Sequence, residues 1–425
     1  LGNAAVIDAD TAGLITVPTP EKGYALHLYS FYLNSDRYTK GSLEVSGAGT
    51  FEGFVNNKPV GATSELALEP HRYEVVIKYL TADTDTCPST LTAKFKSEEE
   101  AKVIASLDPK KRYTPRDILE GTQFRGTSVS PDGKYVLVKY YTRMEGGKSE
   151  QYAQLRDAAT GRILLQDKGF ILTADWMPTS SKMYFTRTGM NGKELVTVDP
   201  ATMQEEILAE NLPEGSFSFT PDEKTLLYTI QEEGPKDGPD MLRILEPNDR
   251  LPGFRNRYFI WRYDLQTGLY EQLTYGHNNT FINDVSADSR YLLFSTSEQD
   301  YTSLPHSSNS MYKLDLQSMA VDTLWERAKY INGATFSPDG KQLMVFGSGN
   351  AFDNIGLNIK EGQISNTYDG QLFLYDPATR KAKALTKDFN PNVTSAQWNK
   401  FDGQIYMLTE DQDYQRVYTC NPANG

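Results

Sequence analysis

Two adjacent carboxylates, Glu232 and Glu233, open a Pro/Gly-rich stretch, QEEGPKDGPDMLRILEPNDRLPGFRNR (231–257), that also carries Arg243, Arg250, Arg255 and Arg257. Neighbouring carboxylates can grip an α-ammonium group, and guanidinium forks can hold a carboxylate or carbonyl, both through charge-assisted hydrogen bonds. These six residues are the candidate substrate-binding set. The arginines have a second option, pairing with Asp237, Asp240, Glu246 and Asp249 in the same stretch. A further pair, Glu205-Glu206, follows DPATM and is expected on an outer, solvated strand.

Other chemistries find no support. A hydrolase nucleophile elbow needs Gly-x-Ser-x-Gly on a strand-to-helix turn, and GTSVS (126–130) lacks the final glycine. The histidines, His27, His71, His277 and His306, are scattered and fall in no HExxH arrangement. NGKEL (191–195) and GSGN (347–350) read as turns and not as phosphate loops. DADTAG (8–13) alternates acidic residues as a calcium loop does, without the distal Glu. Cys87 and Cys420 lack metal-site or redox spacing. No catalytic residue, metal ligand or cofactor is therefore assigned.

The elements that must position the candidate set are strands. The chain has 425 residues, 39% hydrophobic and 12% aromatic, a composition that folds and buries a core. Its 26 Tyr and 19 Phe favour strands. A net charge of −13 argues against nucleic acid and against anionic membrane. No run approaches the ~20 apolar residues of a membrane span. The start, LGNAAVIDADT, has neither Met nor a signal-type segment and reads as a processed or trimmed end.

A polar turn recurs between apolar runs: VSPDGKYVLV (129–138), FTPDEKTLLY (219–228), VSADSRYLLF (285–294) and FSPDGKQLMVF (336–346). Tips near Asp132, Pro178, Asp222, Asp288, Asp339 and Asp402 step by about 43 to 66 residues, matching a four-stranded propeller blade of ~40–50 residues with occasional insertions. Between tips runs a second turn, as in YDLQTG (263–268) and YDPATR (375–380), whose Asp and Thr can bond the turn backbone. Two hairpins make one blade. The expectation is all-β: five complete blades and part of a sixth over 124–425, blade three carrying 231–257 and blade five carrying 347–370. The last blade lacks its fourth strand, so the parent protein is expected to continue past Gly425.

Residues 1–96 show alternating strands without repetition and are expected to form a separate β-sandwich. NNKPV (56–60) and LALEPHRYEVVIKY (66–79) resemble the jelly-roll modules of secreted carbohydrate-active enzymes, with Glu69-Pro70-His71 in place of a glycine turn. Residues 97–123 read as a charged connector with short helices, Ser97 and Glu100 at capping-box spacing.

The segment KKRYTPRDILEGTQFRGTSVSPDGKYVLVKYY (110–141) resembles the entry to the propeller in prolyl oligopeptidase family serine peptidases. Tyr113, Thr114, Asp117 and Leu119 match the segment that leads into the first blade in the dipeptidyl peptidase IV branch. The turns also resemble those of TolB-like propellers. The resemblance covers about 110–425 and implies a non-catalytic propeller. In that family the propeller gates peptide access to a C-terminal α/β-hydrolase domain that carries the triad, so no triad residue has a counterpart here. It implies a peptide substrate met through that domain, possible homo-oligomers of the parent, and a periplasmic or secreted location. The rival expectation is a TolB-like or glycan-binding scaffold without activity.

Overall fold

Adjacent leucines in the blade strands turn to opposite faces of their sheets, and this organises the larger part of the molecule. The computed structural model describes residues 5–7, 13–47, 49–85, 89–97, 103–108, 110, 118–144, 147–241 and 243–425. Asp8, Asp10, Cys87, Glu100, Tyr113, Thr114 and Asp117, singled out above, lie outside them. Two compact units are present, one of residues 1–123 and 142–150, the other of 124–141 and 151–425.

The first unit contains β1 (Ile15–Val17), β2 (Tyr24–Ser35), β3 (Thr39–Gly47), β4 (Thr50–Val55), β5 (Lys58–Val60), β6 (Thr63–Leu68), β7 (Arg72–Ala82), β8 (Ser89–Ser97) and β9 (Val103–Ser106). One sheet has the order β1-β8-β3-β6 and the other β5-β4-β7-β2-β9. The antiparallel pairs β1·β8, β2·β7, β3·β6 and β4·β5 are nested, as if one long hairpin were wound around a core. That winding is a jelly roll. Val17, Leu33, Leu43, Val55, Ile77 and Leu91, drawn from both sheets, share one buried cluster. Asn56 and Asn57, at φ 47° and 63°, make the β4–β5 turn, the left-handed pair a two-residue hairpin requires.

Part of the connector departs from expectation, while Ile118 and Leu119 are helical. Val103–Ser106 is not helical but an edge strand, pairing Tyr32 with Ser106 through Ser35 with Val103. Ser97, expected as a helix cap, ends β8.

The second unit is built of antiparallel blades. Blade one comprises β10–β13 (Gly121–Val129, Tyr135–Arg143, Ser149–Asp157, Ile163–Asp167), and blade two β14–β17 (Asp175–Trp176, Met183–Gly189, Gly192–Val198, Glu205–Ala209). Blade three comprises β18–β21 (Ser216–Phe219, Thr225–Glu232, Arg257–Asp264, Tyr270–Gln272), and blade four β22–β25 (Thr280–Val285, Tyr291–Gln299, Ser307–Asp315, Val321–Ala328). Blade five comprises β26–β29 (Ile331–Phe336, Leu343–Ser348, Gly370–Asp376, Lys381–Ala384), and the last sheet β30–β32 (Asn392–Trp398, Ile405–Asp411, Tyr414–Cys420). Each of the five four-stranded sheets runs in sequence order, and the sixth has three strands.

Four of the six polar tips, those of blades one, three, four and five, follow one local rule. Ser130 Oγ donates to Asp132 (2.7 Å) and accepts from the Tyr135 amide (3.0 Å). Thr220 with Asp222 and Thr225, and Ser337 with Asp339 and Gln342, repeat it. In the second turn Asp264 Oδ1 accepts the Thr267 amide and hydroxyl, both at 2.7 Å, as Asp157 does at Thr160.

Packing then stacks the blades. Leu226 enters the cluster shared with blade two, while Leu227 enters the one shared with blade four. Leu292 and Leu293 divide in the same way, as do Leu343 and Met344. Sheets buried on both faces need continuous apolar runs rather than alternation, and each such side chain contributes about 2 kcal/mol on burial.

Candidate functional site

The long insertion between β19 and β20 folds around a buried carboxylate. Asp249, only 7% exposed, receives Arg255 Nε at 2.8 Å and the Leu245 amide at 2.7 Å. Arg255 also reaches Asp237 at 3.2 Å, and Asp237 accepts the Arg243 amide at 2.7 Å. Asp249 is held below the ordinary carboxylate range chiefly by the hydrogen bond from Arg255, and Asp237 chiefly by the Arg243 amide. Arg255 further donates to the Arg243 carbonyl. An internal charge brace therefore replaces the hydrophobic core that a segment of this composition cannot build.

Around the brace lies a cavity of about 510 Å³, lined among others by Glu233, Lys236, Met241, Arg250 and Arg255. The structure thus brings Glu233, Arg250 and Arg255 to one cavity, in different states. Glu233 is paired with Lys236 at 2.5 Å, which lowers its pKa. Arg255 is occupied by its two aspartates. Arg250 uses Nε on the Pro247 carbonyl at 3.1 Å.

Glu232 lies at the end of β19, opposite Arg257 in register, and accepts from Gln272 Nε2 at 3.4 Å. Arg257 donates to the carbonyls of Phe254 (2.8 Å) and Asn256 (2.9 Å) and to that of His277, closing the base of the loop. Arg243 is exposed and takes part through its backbone. Glu205 and Glu206 lie on the outer strand β17, paired with Arg187 at 2.7 Å and Lys182 at 3.0 Å.

A second concavity, between blades four, five and six, contains Asn309, Ser348 and Gln371, which sequence reasoning did not single out. The length of the 347–370 loop was the one signal for it. Its GSGN motif reads as an ordinary turn.

No curated protein matches the chain. Among solved structures, acylaminoacyl peptidase of Pyrococcus horikoshii aligns at 13% identity with TM-score 0.50, covering 73% of this chain and 46% of that one. The propeller domain of the Trilobed protease from Pyrococcus furiosus aligns at 12% identity with TM-score 0.43, covering 70% of this chain and 81% of that one. TolB from Acinetobacter baumannii aligns at 14% identity with TM-score 0.37, over 72% of this chain and 62% of that one. The chain spans about half the length of the peptidase it resembles. The first likeness shares the propeller fold. Within the propeller, the profile of the SMP-30/Gluconolactonase/LRE-like region matches residues 173–400, more than half of the sequence, and to that family the chain belongs.

Proposed function

We propose that these 425 residues are the non-catalytic, substrate-gating region of a secreted or periplasmic serine peptidase of the prolyl oligopeptidase type, whose hydrolase domain lies outside this sequence. The observation that carries the reading is the braced insertion of blade three, a charged cavity of about 510 Å³ held on a rigid blade. Arg250 and the Glu233–Lys236 pair on its wall can engage the charged or carbonyl groups of a peptide, while the Asp237–Arg255–Asp249 brace fixes the wall. The entry segment at 110–141 and the fold shared with acylaminoacyl peptidase support the same reading. Gating by a propeller limits which peptides reach a hydrolase, so its residues act on kcat/KM without touching the reacting bond.

The test is the parent gene product, assayed on Ala-Pro and Gly-Pro anilides. The expected result is hydrolysis that Arg250→Ala lowers about tenfold in kcat/KM, or ~1.4 kcal/mol. A reading frame without a hydrolase domain, or a parent inert on these substrates, overturns the reading and leaves a binding scaffold.

A further inference from the structure

The concavity of blades four to six has a chemistry different from that of the insertion. Three cavities adjoin there, of about 320, 270 and 220 Å³. The first two share Tyr330 and Asn332, and the last two share Asp369 and Gly370. The first is lined by no charged side chain and the second by Asp369 alone.

Each cavity is lined by one residue with a buried, unpartnered polar atom: Asn309 Oδ1 in the first, Ser348 Oγ in the second, Gln371 Oε1 in the third. Ser348 is only 6% exposed. Among the described residues of the propeller, the other unpartnered buried side-chain atoms are one tyrosine hydroxyl and three indole nitrogens, at Tyr228, Trp176, Trp261 and Trp325. Unpaired carboxamide oxygens and aliphatic hydroxyls therefore collect in this groove. A buried polar atom without a partner is costly enough to call for an explanation.

The surrounding backbone is held closely. Phe352, Asp353 and Asn354 form a left-handed turn at φ 49°, 58° and 69°, a conformation L-residues avoid. Phe352 anchors it by packing on Trp325, Phe373 and Tyr375, and Ser365 Oγ ties the loop to Asn350 at 3.0 Å. Strain of this kind persists where the surroundings over-determine it. At the rim Tyr368 is 93% exposed and lines the second cavity.

We propose that blades four to six bind a neutral oligosaccharide across this groove, with Asn309, Ser348 and Gln371 supplying hydrogen bonds and Tyr368 the stacking ring. Two carbonyl oxygens require donors, and Ser348 and the exposed Asn332 both donate and accept. A sugar hydroxyl does both at once, and the C–H face of the ring covers an aromatic side chain. The scarcity of charge in the first two cavities disfavours uronates, sulfated glycans and ionic peptides there, while Lys387 and Asp388 of the third carry opposite charges. The reading is independent of the peptidase proposal.

The test uses the 425-residue chain on an array of neutral α- and β-linked gluco-, manno-, galacto- and xylo-oligosaccharides, followed by calorimetric titration of the best binder. Trigalacturonate and tetra-alanine are the charged and peptide comparators. The expected result is saturable binding of a neutral glycan that Tyr368→Ala and Asn332→Ala each weaken about tenfold or more. Both side chains are exposed, so these variants keep the fold, checked by an unchanged melting curve. Absence of neutral-glycan binding overturns the proposal. So does binding that both variants leave intact, which would place it elsewhere, or a preference for tetra-alanine or trigalacturonate.

Discussion

Ser289, at φ 59°, accepts the backbone amide of Asp222 on its hydroxyl at 2.8 Å, linking the tip of blade four to the tip of blade three. Glu223 does the same one blade earlier, its carboxylate taking the amides of Thr179 (2.8 Å) and Ser180 (2.7 Å). Ser181 takes the amide of Asp132 at 3.1 Å. Glu223 and Ser289 occupy the left-handed position that Gly133 and Gly340 hold in blades one and five, and Ser181 the one that Gly403 holds in the sixth sheet. A non-glycine residue there costs roughly 1–2 kcal/mol of backbone strain, offset by a bond to the neighbouring blade worth about 1 kcal/mol. The departures from glycine thus run where one tip can reach the next.

This relationship separates two substitutions at one site. Ser289→Ala keeps the strain and loses the bond, and should lower stability by about 1 kcal/mol. Ser289→Gly loses the same bond but relieves the strain, and should be close to neutral. Urea midpoints for the two variants check this. Equal losses would show that the hydroxyl alone matters.

The second turns offer the reverse case. Met203 and Met319 sit at φ 60° each, where Gly161 and Gly268 stand in other blades, and their side chains are 38% and 42% exposed. Each donates its amide to the carbonyl of the turn aspartate at 2.8 Å, a bond that glycine keeps. Met203→Gly and Met319→Gly should each stabilise by about 0.5–1 kcal/mol, since the strain relieved exceeds the added unfolded-state entropy. Calorimetric melting of the double variant should show an upward shift.

The tips were legible because the bonds that make them span five residues or fewer, as from Ser130 to Tyr135. The facing of Leu226 and Leu227 is not legible in their apolar run, which marks a strand without saying which neighbouring blade each side chain meets. Val103–Ser106 was not legible. EEEAKVIAS reads locally as helix, and its strand conformation comes from pairing with β2, some seventy residues earlier. In the insertion, sequence marked the arginines, but only folding distinguishes Arg255, locked on Asp249, from Arg250 on the cavity wall. Asn309, Ser348 and Gln371 lie on separate strands, and stacking of the blades brings them to one groove.

Asp284 is a half-buried carboxylate whose hydrogen bonds come from two backbone amides. Its Oδ2 accepts the Phe336 amide across the boundary between blades four and five at 2.7 Å, and its Oδ1 accepts the Val285 amide at 2.9 Å. Burial raises its pKa, and the two amides offset part of that rise. Between the ordinary carboxylate value and the raised native one, the folded state binds more protons than the unfolded state. Stability from this group is therefore full below the ordinary value and declines as pH rises through the native one. Asp284→Asn should remove that decline. It should also cost about 1–3 kcal/mol, because one backbone amide then faces an NH₂ group. The difference between wild-type and variant unfolding free energies, measured across pH 3 to 8, isolates the effect.

The brace of the insertion titrates with the opposite sign. Asp237 and Asp249 are both held below the ordinary carboxylate range, so the order they confer is present above that range and lost as pH falls through their native values. The brace ties loop to loop, while the blade is held by strand pairing and by its clusters on either side. Breaking it should loosen residues 233–256 and leave global unfolding nearly unchanged. Asp249→Asn takes from Arg255 its 2.8 Å carboxylate partner, leaving only the longer contact to Asp237, and should raise the rate of tryptic cleavage at Arg250 and Arg255 about tenfold at neutral pH, with little change in melting temperature. Asp237→Asn should do less, since Asp249 still holds the guanidinium. A global melting shift comparable to that of a core truncation would show instead that the insertion supports the blade.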